Sequence, residues 1–537
     1  MNKPEPRGMP FGRRRLRWPL WSAALLAASG LTVLTPTAQG ATGTGQPAFA
    51  FTGGRLPSAP GGDYSDLEPG IAASGDGTFI IGGNSGGRGA DVWVSHDDGL
   101  HYRWAADPFQ ALPQGSVPVN GQDADVAAAP VGVGGAPPRL YATSLYVANS
   151  TLAASADGGK SFATNQVVGT PMQDRPWLAA DGACTVYAAY SNVLAGPPSR
   201  EFVSRFDACQ SPPSLTGTGA VVFPVQSSTD PYPLGGFWAG KIAVDNSPRS
   251  RYHHNLYMPL GGFETNTAAQ PTLSVAVSSD GGQTFAVHRV TDLTTGRLEI
   301  WPDQLAVDAA GRVYLAWSDD HQVFLKSSSD GGATWGPTTH VSAPPARSAI
   351  LPSVAAGKDG LVDLAWYATD RDGAAGDQAL MGQPGAKGAA QWRVWFAQST
   401  DAGKHFAQVP VTTTVHTGIA CTQAGACTVP YSRYLFEDLG IAISPTTGLA
   451  SIAYNIDEFT IRPGGSHIWV GYATQLRASA MRGPASAPRK AARPPAAPVN
   501  DTANGGSLPT TGLPMGVAVL ALLLVAAGAS MARGRRS

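Results

Sequence analysis

The stretch Ser278–Phe285, which reads SSDGGQTF, is the clearest of five copies of one short pattern. Each copy contains Ser, Asp and Gly at alternate positions and closes on an aromatic residue; the other four copies are Ser95–Tyr102, Ser155–Phe162, Ser328–Trp335 and Ser399–Phe406. The Asp can accept hydrogen bonds from N–H groups of its own loop, the Gly supplies a positive φ angle, and the aromatic ring packs onto the preceding strand. Five such Ser-x-Asp turns predict a repeat architecture.

A second repeated pattern gives the number of units. It has an acidic or aromatic start, a short apolar strand, a Gly or Asp turn, and a second apolar strand. Clear copies begin at Asp174, Trp301 and Phe436, and weaker copies begin at Asp66, Asp123, Phe237 and Ile350. Each unit reads as strands A, B, C and D, with the Ser-x-Asp turn between C and D. Seven units predict an all-β, seven-bladed β-propeller with four-stranded blades, and six blades are the alternative if the weak fourth unit is misread.

Two irregular units test this scheme. The seventh unit has no D strand, whereas the segment Pro47–Leu56 is strand-like. We therefore expect an N-terminal strand to complete the seventh blade and leave no free sheet edge. The third unit lacks a Ser-x-Asp turn, but Cys184 lies at its A–B turn and Cys209 at its C–D turn. Both turns face the same side of a blade, so we predict a disulfide between these two cysteines.

The composition is that of an exported β protein. The 537 residues include 65 Gly and 44 Pro, and the formal net charge is -1. This charge gives no sign of the basic face that a nucleic-acid partner requires. Cys421 and Cys427 flank a short loop and are predicted to form the second disulfide; metal binding by the four cysteines is disfavoured by their unlike surroundings. We expect the protein to be a monomer.

The N-terminal residues 1–41 have the pattern of a secretory signal peptide. Basic residues from Arg13 to Arg17 precede an apolar run, Trp18–Leu34, and small residues follow as far as Ala41. A membrane anchor is the alternative, which the polar residues within the run disfavour. We expect residues 43–476 to form the propeller. Residues 477–507, rich in Pro and Ala, are expected to be a disordered, semi-extended linker.

The C-terminal residues 508–537 resemble the LPxTG sorting signal of Gram-positive bacteria. Leu508–Gly512 reads LPTTG and is followed by an apolar run, Met515–Ala532, and an Arg-rich tail. Such a run can just span a bilayer with the basic tail inside. The resemblance implies that a sortase cuts after Thr511 and joins Thr511 to peptidoglycan, so the protein would be secreted and covalently anchored to the cell wall. An ordinary tail-anchored protein is the alternative.

The Ser-x-Asp turn resembles the Asp-box (BNR) repeat of sialidases and related β-propellers. The resemblance covers the region from about Pro47 to Leu476. It implies a propeller, and it implies that the turns themselves lie away from the active site. Sialidases proper have six blades, so seven units depart from them. The broader group of exported, sialidase-like propellers is the closer likeness.

The catalytic residues of sialidases do not carry over. That family binds the sugar carboxylate with three Arg, the first in a Phe/Tyr-Arg-Ile-Pro motif, and uses a Tyr nucleophile with a Glu and an Asp. The nearest strings here are Asp174-Arg175-Pro176 and Ile461-Arg462-Pro463, and neither fits. Tyr431 or Tyr434 with Glu437 is the local candidate for the Tyr–Glu pair. A sialidase activity is therefore excluded unless three Arg converge on the top face.

Candidate site residues come from the loops at the top of the ring, opposite the Ser-x-Asp turns. The starts of the A strands converge there, and they carry carboxylates that glycoside hydrolysis could use. The candidate catalytic residues are Asp303, Glu437 and Asp438. The candidate substrate-binding residues are Arg175, Trp301, Arg371, Tyr431 and Arg433. The competing interpretation is that such Asp residues cap turns.

No cofactor is expected. A Ca²⁺ site formed by Asp123 with Asp125, or by Asp319 with Asp320, is possible because oxygen ligands cluster there, but the spacing of a calcium-binding loop is missing.

Two functions of different classes fit these observations. One is a glycoside hydrolase acting on extracellular glycans or glycoproteins, with carboxylates such as Asp303 and Glu437. The other is a non-catalytic adhesin or scaffold. A hydrolase needs two carboxyl groups roughly 5–10 Å apart across an open pocket, whereas a scaffold would hold them in turns. A purely structural wall protein, the third possibility, would have a plugged channel.

Overall fold

The computed structural model describes residues 49–60, 66–84, 89–109, 122–146, 149–165, 173–192, 201–221, 237–262, 272–293, 304–358, 360–422, 427–435 and 438–477. These residues form thirty strands and two one-turn helices. Within these ranges no helix is both long and apolar enough to cross a bilayer. The predicted signal peptide, nearly all of the linker and the sorting signal lie outside the described residues.

The first strand, β1 (Phe51–Arg55), belongs to the last blade. Blades 1 to 3 are four-stranded antiparallel sheets whose strands follow chain order. Blade 1 contains β2 (Leu67–Ala73), β3 (Phe79–Asn84), β4 (Ala90–Ser95) and β5 (Arg103–Ala106). Blade 2 contains β6 (Gln122–Ala128), β7 (Leu140–Tyr146), β8 (Asn149–Ser155) and β9 (Ala163–Asn165). Blade 3 contains β10 (Gln173–Asp181), β11 (Thr185–Asn192), β12 (Glu201–Asp207) and β13 (Ser214–Val221).

Blades 4 to 7 follow the same order with small additions. Blade 4 contains β14 (Phe237–Ala239), β15 (Ala243–Val244), β16 (Leu256–Gly262), β17 (Thr272–Ser278) and β18 (Ala286–Asp292). Blade 5 contains β19 (Gln304–Val307), β20 (Val313–Ser318), β21 (Val323–Ser328) and β22 (Thr339–His340). Blade 6 contains β23 (Ser348–Ala356), β24 (Val362–Thr369), β25 (Gln391–Ser399), β26 (Ala407–Pro410) and β27 (His416–Thr417), with α1 (Gln378–Met381) between β24 and β25. Blade 7 contains β28 (Gly440–Ile443), β29 (Ala450–Asp457) and β30 (Ile468–Gln475), with α2 (Glu458–Ile461) between β29 and β30.

The seven sheets confirm the seven-bladed propeller, and the six-bladed alternative is wrong. The fourth unit is weak in sequence because its A strand is split. Both β14 and β15 pair with β16, and residues 240–242 between them belong to neither strand. One of these residues is Lys241, whose side chain turns toward Asp125 of blade 2.

An N-terminal strand closes the ring, as predicted. Strand β1 pairs antiparallel with β30, from Phe51 opposite Gln475 to Arg55 opposite Gly471. Further contacts join blade 7 to blade 1 on the bottom face, where Asp98 accepts hydrogen bonds from Ser444 Oγ at 2.5 Å and Thr446 Oγ1 at 2.7 Å. The first and last blades are therefore held together by side chains as well as by the strand.

All five Ser-x-Asp turns have the same hydrogen bonds. In the turn at Ser278, its Oγ donates to Asp280 Oδ1 at 2.8 Å and accepts from the Gly282 N–H at 2.9 Å. Asp280 Oδ1 also accepts from the Thr284 N–H at 3.0 Å. The same Ser–Asp bond recurs at Ser95, Ser155, Ser328 and Ser399. Every bond lies within one short loop, so each turn folds without help from other blades.

The second Gly of several turns packs against the preceding blade, which explains why a side chain is missing there. A Cβ placed on Gly282 would lie 3.2 Å from Leu256 and 3.6 Å from the ring of Tyr187 in blade 3. Gly332 and Gly403 face Tyr257 and Tyr314 in the same way, and all these glycines have positive φ angles. The turns thus also set the contacts between neighbouring blades.

Both disulfides are present in the structure. Cys184 and Cys209, with Cα atoms 5.0 Å apart, join the A–B and C–D turns of blade 3, the blade without a Ser-x-Asp turn. Cys421 and Cys427, with Cα atoms 5.7 Å apart, close a short loop in the connection between blades 6 and 7.

Candidate functional site

The A strands of four blades carry a β-bulge at their starts, where the chain comes closest to the ring axis. One residue in each bulge has a left-handed backbone: Glu68 (φ 52°), Asp123 (φ 35°), Arg175 (φ 53°) and Leu351 (φ 54°). In blades 1, 3 and 6 a Pro follows this residue, and Pro has no N–H to give to the ladder. Backbone strain of this kind, repeated around one opening, is typical of functional sites.

Arg175 lies at the centre of a cluster of charges from four blades. Its Nη1 donates to Glu68 at 3.2 Å and to Asp123 at 3.5 Å, and its Nη2 donates to Asp438. The side chain of Arg175 is 2% exposed, and those of Glu68, Asp123 and Asp438 are 6%, 19% and 8% exposed. We call these four residues the Arg175 cluster. It has more negative than positive groups, since one guanidinium faces three carboxylates.

A second ion pair lies in the same channel. Lys241 Nζ donates to Asp125 Oδ1 at 2.7 Å, and the other oxygen of Asp125 accepts from the Leu178 N–H at 2.8 Å. Both oxygens of this buried carboxylate therefore have partners. The opposite charges of Lys241 and Asp125 cancel, so this pair adds no net charge beside the Arg175 cluster.

The channel is narrow where these side chains meet. It encloses a cavity of about 90 Å³, and every blade contributes to its wall, for example through Gly70, Asp125, Trp177, Lys241, Gln304, Ser353 and Gly440. Within the wall, Ser353 Oγ donates to Gln304 Oε1 at 2.6 Å. Pockets for small ligands usually measure about 300–1,000 Å³. The cavity is therefore smaller than a typical small-ligand pocket.

The exposed ring of Tyr431 lies on the top of blade 7, in the segment that leads to Asp438. It is 45% exposed and its backbone is left-handed, with a φ of 65°. The ring stacks on Phe459 with centroids 5.5 Å apart and an interplanar angle of 19°, and Tyr434 meets both rings edge-on. We call Tyr431, Tyr434 and Phe459 the aromatic platform. Burial and the nearby Asp457 raise the pKa of Tyr434, so its hydroxyl stays neutral.

Buried polar groups hold the aromatic platform in place. Asp457 is the N-cap of α2 and accepts from the Phe459 N–H at 3.0 Å. Its other oxygen accepts from Thr460 Oγ1 at 2.8 Å and contacts His416 Nδ1 at 2.7 Å. Asp457 and His416 are fully buried. Asn455 binds the carbonyl groups of Leu435 and Asp438, so the platform and the Arg175 cluster are parts of one connected region.

The structure divides the predicted site residues into three groups. Asp438 and Arg175 meet in the Arg175 cluster, where Arg175 is buried. Tyr431 forms the aromatic platform, and Arg433 lies half-buried two residues later. Arg371 lies elsewhere: it donates to the backbone carbonyls of Leu380 and Gly388 and so fixes the loop around α1. The remaining predictions, Trp301, Asp303, Glu437 and Thr511, fall outside the described residues.

The described top-face arginines do not converge on one point. Arg175 binds carboxylates in the channel, Arg371 binds two carbonyl groups, and Arg462 donates to Glu458 at 2.7 Å. Arg175, Arg371 and Arg462 therefore do not form the three-Arg carboxylate site of sialidases.

The proposed Ca²⁺ ligands have protein partners. Asp125 binds Lys241 and Leu178, and Asp319 caps its own turn by accepting from the N–H groups of His321 and Gln322. In the described ranges, no group of three His, Cys, Asp or Glu side chains is arranged to hold a metal ion.

Two features of the site escape sequence reasoning. Phe459 was not among the predicted residues, although Asp457 two positions earlier is a recognisable helix N-cap. The buried His416 carries no sequence signal, since its partner Asp457 is 41 residues away.

Comparisons with known proteins find likeness only at the level of structure. A Hadza microbial sialidase is 14% identical over 78% of this chain and 66% of its own, with a TM-score of 0.39. An α-L-arabinanase of Penicillium chrysogenum is 15% identical over 60% of this chain and 94% of its own, with a TM-score of 0.40. The lectin of Aleuria aurantia is 11% identical over 66% of this chain and 98% of its own, with a TM-score of 0.38. No family model and no curated protein matches the sequence.

Proposed function

We propose that this protein is a glycan-binding β-propeller of the bacterial surface, and that it binds through the aromatic platform at the top of blade 7. The observation that carries the proposal is the exposed ring of Tyr431. A Tyr with a left-handed backbone and an exposed ring is unusual, and here the ring is fixed from below by Phe459. A rigid, exposed aromatic face is what the apolar side of a sugar ring stacks against.

Binding is supported better than hydrolysis by the Arg175 cluster. Glu68 and Asp123 contact the same nitrogen of Arg175, so their oxygens are no farther apart than the sum of those two distances. At most, that separation reaches the lower half of the roughly 5–10 Å that glycosidase carboxylates span. However, the guanidinium occupies the space between them, where the scissile bond would have to lie. These carboxylates hold Arg175 and leave no room for a substrate.

A glycoside hydrolase remains the second candidate function. The observation that favours it is the concentration of carboxyl groups at one opening, to which the sequence adds Asp303 and Glu437. In this variant of the proposal, those two residues are the acid and base, and Arg175 holds Asp438, which follows Glu437 in the sequence. A structural protein without a ligand would explain the narrow channel, but it gives no reason for the exposed Tyr431.

The proposal also includes the location of the protein. A signal peptide at residues 1–41 and a sorting signal at 508–537 support export and attachment of Thr511 to peptidoglycan by a sortase. Replacing Thr511 and Gly512 by Ala should move the protein from the wall fraction to the membrane and medium, as measured by cell fractionation.

The test of function is a glycan array probed with the full-length protein and with Tyr431→Ala. Binding should fall by about fivefold or more in Tyr431→Ala, because truncating an aromatic anchor typically costs more than about 1 kcal/mol. Tyr431→Phe should keep most of the affinity, since the ring face is retained. The matched control is Val131→Ala. Val131 is also exposed, but it lies in the A–B turn of blade 2, on the bottom face.

A parallel assay separates binding from catalysis. Chromogenic glycosides, including a sialoside, would be incubated with the full-length protein, Asp303→Asn and Glu437→Gln, with and without Ca²⁺. Turnover that both variants abolish would establish the hydrolase instead. If the array shows no ligand and the assay no turnover, while circular dichroism shows folded protein, the glycan-directed function is wrong.

A further inference from the structure

We infer that His416 is a positioning residue of the aromatic platform: it is an imidazolium whose two N–H groups hold the two stacked rings, and loss of its proton at high pH loosens the platform. This role rests on the proposed function, because it is there that the platform receives a ligand. His416 is fully buried, so it acts through the rings that it holds.

Both ring nitrogens of His416 face acceptors. Its Nε2 lies 3.1 Å from the backbone carbonyl oxygen of Ile419, and its Nδ1 lies 2.7 Å from Asp457 Oδ2. A carbonyl oxygen can only accept, so Nε2 must carry a hydrogen. A neutral imidazole would then turn a bare Nδ1 toward a carboxylate oxygen at hydrogen-bond distance. A proton therefore lies between His416 and Asp457.

This proton belongs to the imidazole because the carboxylate is bound as an anion. Asp457 accepts two further hydrogen bonds, from the Phe459 N–H at 3.0 Å and from Thr460 Oγ1 at 2.8 Å. The Thr460 oxygen itself accepts from the Thr417 N–H at 3.1 Å, which leaves its hydrogen for Asp457. Hydrogen bonds to a carboxylate favour its charged form. The pair is thus an imidazolium bound to a carboxylate, and the opposite charges allow both groups to be buried.

The N–H at Nδ1 holds the helix side of the aromatic platform. Its acceptor, Asp457, is the N-cap of α2, the one-turn helix that carries Phe459. One oxygen of Asp457 binds the Phe459 backbone and the other binds His416, so the position of the Phe459 ring depends on this contact. The contact also crosses from blade 6, which contains His416, to blade 7.

The N–H at Nε2 holds the other side of the platform. Its acceptor, Ile419, begins the segment that leads to Tyr431. Two residues after Ile419, the Cys421 N–H donates to the carbonyl group of Ser432 at 2.8 Å, next to Tyr431. One imidazolium thus fixes both partners of the ring stack. A neutral imidazole has a single N–H and can hold only one of them.

Among the described residues of blade 7 and of the connecting segment, other titratable groups near His416 do not replace its proton. On α2, Glu458 is paired with Arg462 at 2.7 Å. On the connecting segment, burial and Asp457 raise the pKa of Tyr434, so its hydroxyl stays neutral between pH 6 and pH 9.

The blade 6 elements around His416 bring no second charge to the pair in the described ranges. On β25, His416 lies opposite Trp392, whose indole donates to the Gly418 carbonyl at 2.7 Å. In the loop around α1, Arg371 is bound to two backbone carbonyls. The other charged residues of this loop and of β25 are exposed to solvent: Asp377, Lys387 and Arg393. The protonation of the His416–Asp457 pair therefore sets the pH response of the platform.

The first experiment observes the proton directly by NMR. Full-length protein with ¹⁵N-labelled histidine side chains would be measured at pH 7, and the signals of His416 would be identified by their absence from the spectrum of His416→Gln. An imidazolium gives two similar nitrogen shifts, whereas a neutral ring gives two widely separated ones. We expect the imidazolium pattern for His416. A neutral pattern at pH 7 would overturn the inference.

The second experiment probes the glycan array at pH 6 and pH 9 with full-length wild type and Asp457→Asn. Binding by the wild type should weaken at least about fivefold at pH 9, and by no more than about tenfold per pH unit, since one proton is involved. Asn is also a good N-cap, and its amide can donate to Nδ1 of a neutral ring. Asp457→Asn should therefore bind at both pH values with no such loss.

The same variant separates His416 from other groups that titrate in this range. Burial raises the pKa of Asp363 to about 8 and that of Glu201 to about 7, and Asp457→Asn retains both residues. A pH dependence that persisted in Asp457→Asn would belong to such groups and would overturn the role of His416.

Replacement of the histidine itself has a matched control. His416→Gln should weaken binding at pH 6 by about fivefold or more, because a buried acceptor loses its donor. His405→Gln is the control, since His405 also contacts a carboxylate, Asp401, at 2.6 Å, but in a bottom-face turn. It should leave binding and its pH dependence unchanged. If circular dichroism shows that His416→Gln does not fold, Asp457→Asn decides.

Hydrogen exchange measures the platform without a ligand, and so separates this role from the proposed function. Protection of residues 427–435 and 457–462, corrected for intrinsic exchange rates, should fall between pH 6 and pH 9 in the wild type and stay constant in Asp457→Asn. Equal protection at both pH values in the wild type would overturn the positioning role, whatever binds. If no glycan binds while the NMR and exchange results are as expected, the proposed function fails and the role of His416 in the platform stands.

Discussion

The two faces of this propeller treat their carboxylates in opposite ways. On the bottom face, the Asp of each Ser-x-Asp turn is bound by neighbours two to four residues away, as Asp280 is by Ser278 and Thr284. On the top face, Asp438 and Glu68 find their partner in Arg175, which is 263 and 107 residues away. The bottom carboxylates are exposed and locally satisfied, whereas the top ones are buried and depend on the closed ring.

This difference explains why the fold of this chain is easier to recognise in its sequence than its candidate site. A local turn repeats its whole chemistry within eight residues, so it can be recognised wherever it recurs. A cluster built by four blades has no spacing of its own and exists only once the ring is formed. Four predictions test the contrast, from the largest expected effect to the smallest.

Removing the guanidinium from the top face should have the largest effect. Arg175→Ala would remove the buried guanidinium that Glu68, Asp123 and Asp438 share. Losing one partner of a buried ion pair typically costs about 3–5 kcal/mol of the free energy of unfolding. Urea denaturation of the wild type and of Arg175→Ala would measure this loss in the free energy of unfolding. Adding Asp438→Asn to Arg175→Ala should recover part of the lost stability. A loss below about 1 kcal/mol in Arg175→Ala alone would contradict the burial of the Arg175 cluster.

The two disulfides should differ in their contributions. The bond Cys184–Cys209 closes a 25-residue separation on the bottom face, and Cys421–Cys427 closes one of six residues on the top face. Chain entropy then predicts a loss of about 3 kcal/mol when the first pair is changed to Ser and about 2 kcal/mol for the second. Denaturation under oxidising conditions would test which disulfide contributes more to stability. Equal losses would mean that loop length does not set the contribution here.

A carboxyl group in the core, between the two faces, should make stability depend on pH. Asp363 on β24 is fully buried, and burial raises its pKa to about 8, although Gln398 partly opposes the shift. The folded state keeps this proton at pH values where the unfolded chain, with a pKa near 4, has released it. The stabilising contribution is complete below about pH 4 and is lost as the pH rises to about 8.

Asp363→Asn should therefore raise the free energy of unfolding at pH 8 by at least about 1 kcal/mol and flatten its pH dependence. Thermal melts between pH 5 and pH 9 would show this. Glu201, whose pKa burial raises to about 7, is the matched comparison, and Glu201→Gln should act in the same direction with a smaller change. A wild-type stability that rises between pH 5 and pH 8 would argue against a buried, protonated Asp363.

The smallest effect should come from a single bottom-face turn. Hydrogen bonds from the side chain and N–H of Thr284 lower the pKa of Asp280 to about 2. Its stabilising contribution is present above about pH 4 and is lost as the pH falls toward 2, the reverse of Asp363. Asp280→Asn should lower the melting temperature slightly at pH 7 and make no difference near pH 2. If Asp280→Asn destabilised the protein as much as Arg175→Ala, the contrast between bottom-face and top-face carboxylates would be wrong.

The fold could be predicted almost completely from the sequence, because its signals are local. The Ser-x-Asp turns fix the C–D connections of five blades, as between β21 and β22 of blade 5. The N-terminal strand follows from the absence of a seventh D strand. Even the weak fourth unit has a local cause, since Lys241 and its neighbours interrupt the A strand.

The candidate site could be predicted only in outline. The sequence indicates that the starts of the A strands meet at the top, and this brings Asp438 and Arg175 to the right region. It cannot indicate that Arg175 is bound by three carboxylates, because that depends on side chains from four blades. Arg371 illustrates the same difficulty, since its partners are carbonyl groups of a loop whose path depends on tertiary packing.

The position of β30 also has a mechanical consequence. The chain leaves the propeller after Leu476, just past the end of a strand that is flanked by five register pairs to β1 and seven to β29. If the protein is tethered through Thr511, a pull on the cell-wall side acts along β30. Both ladders would then be loaded in shear, so that many hydrogen bonds share the force instead of breaking one after another. Blade 7 would carry the tension, while the proposed ligand site lies at the opposite face.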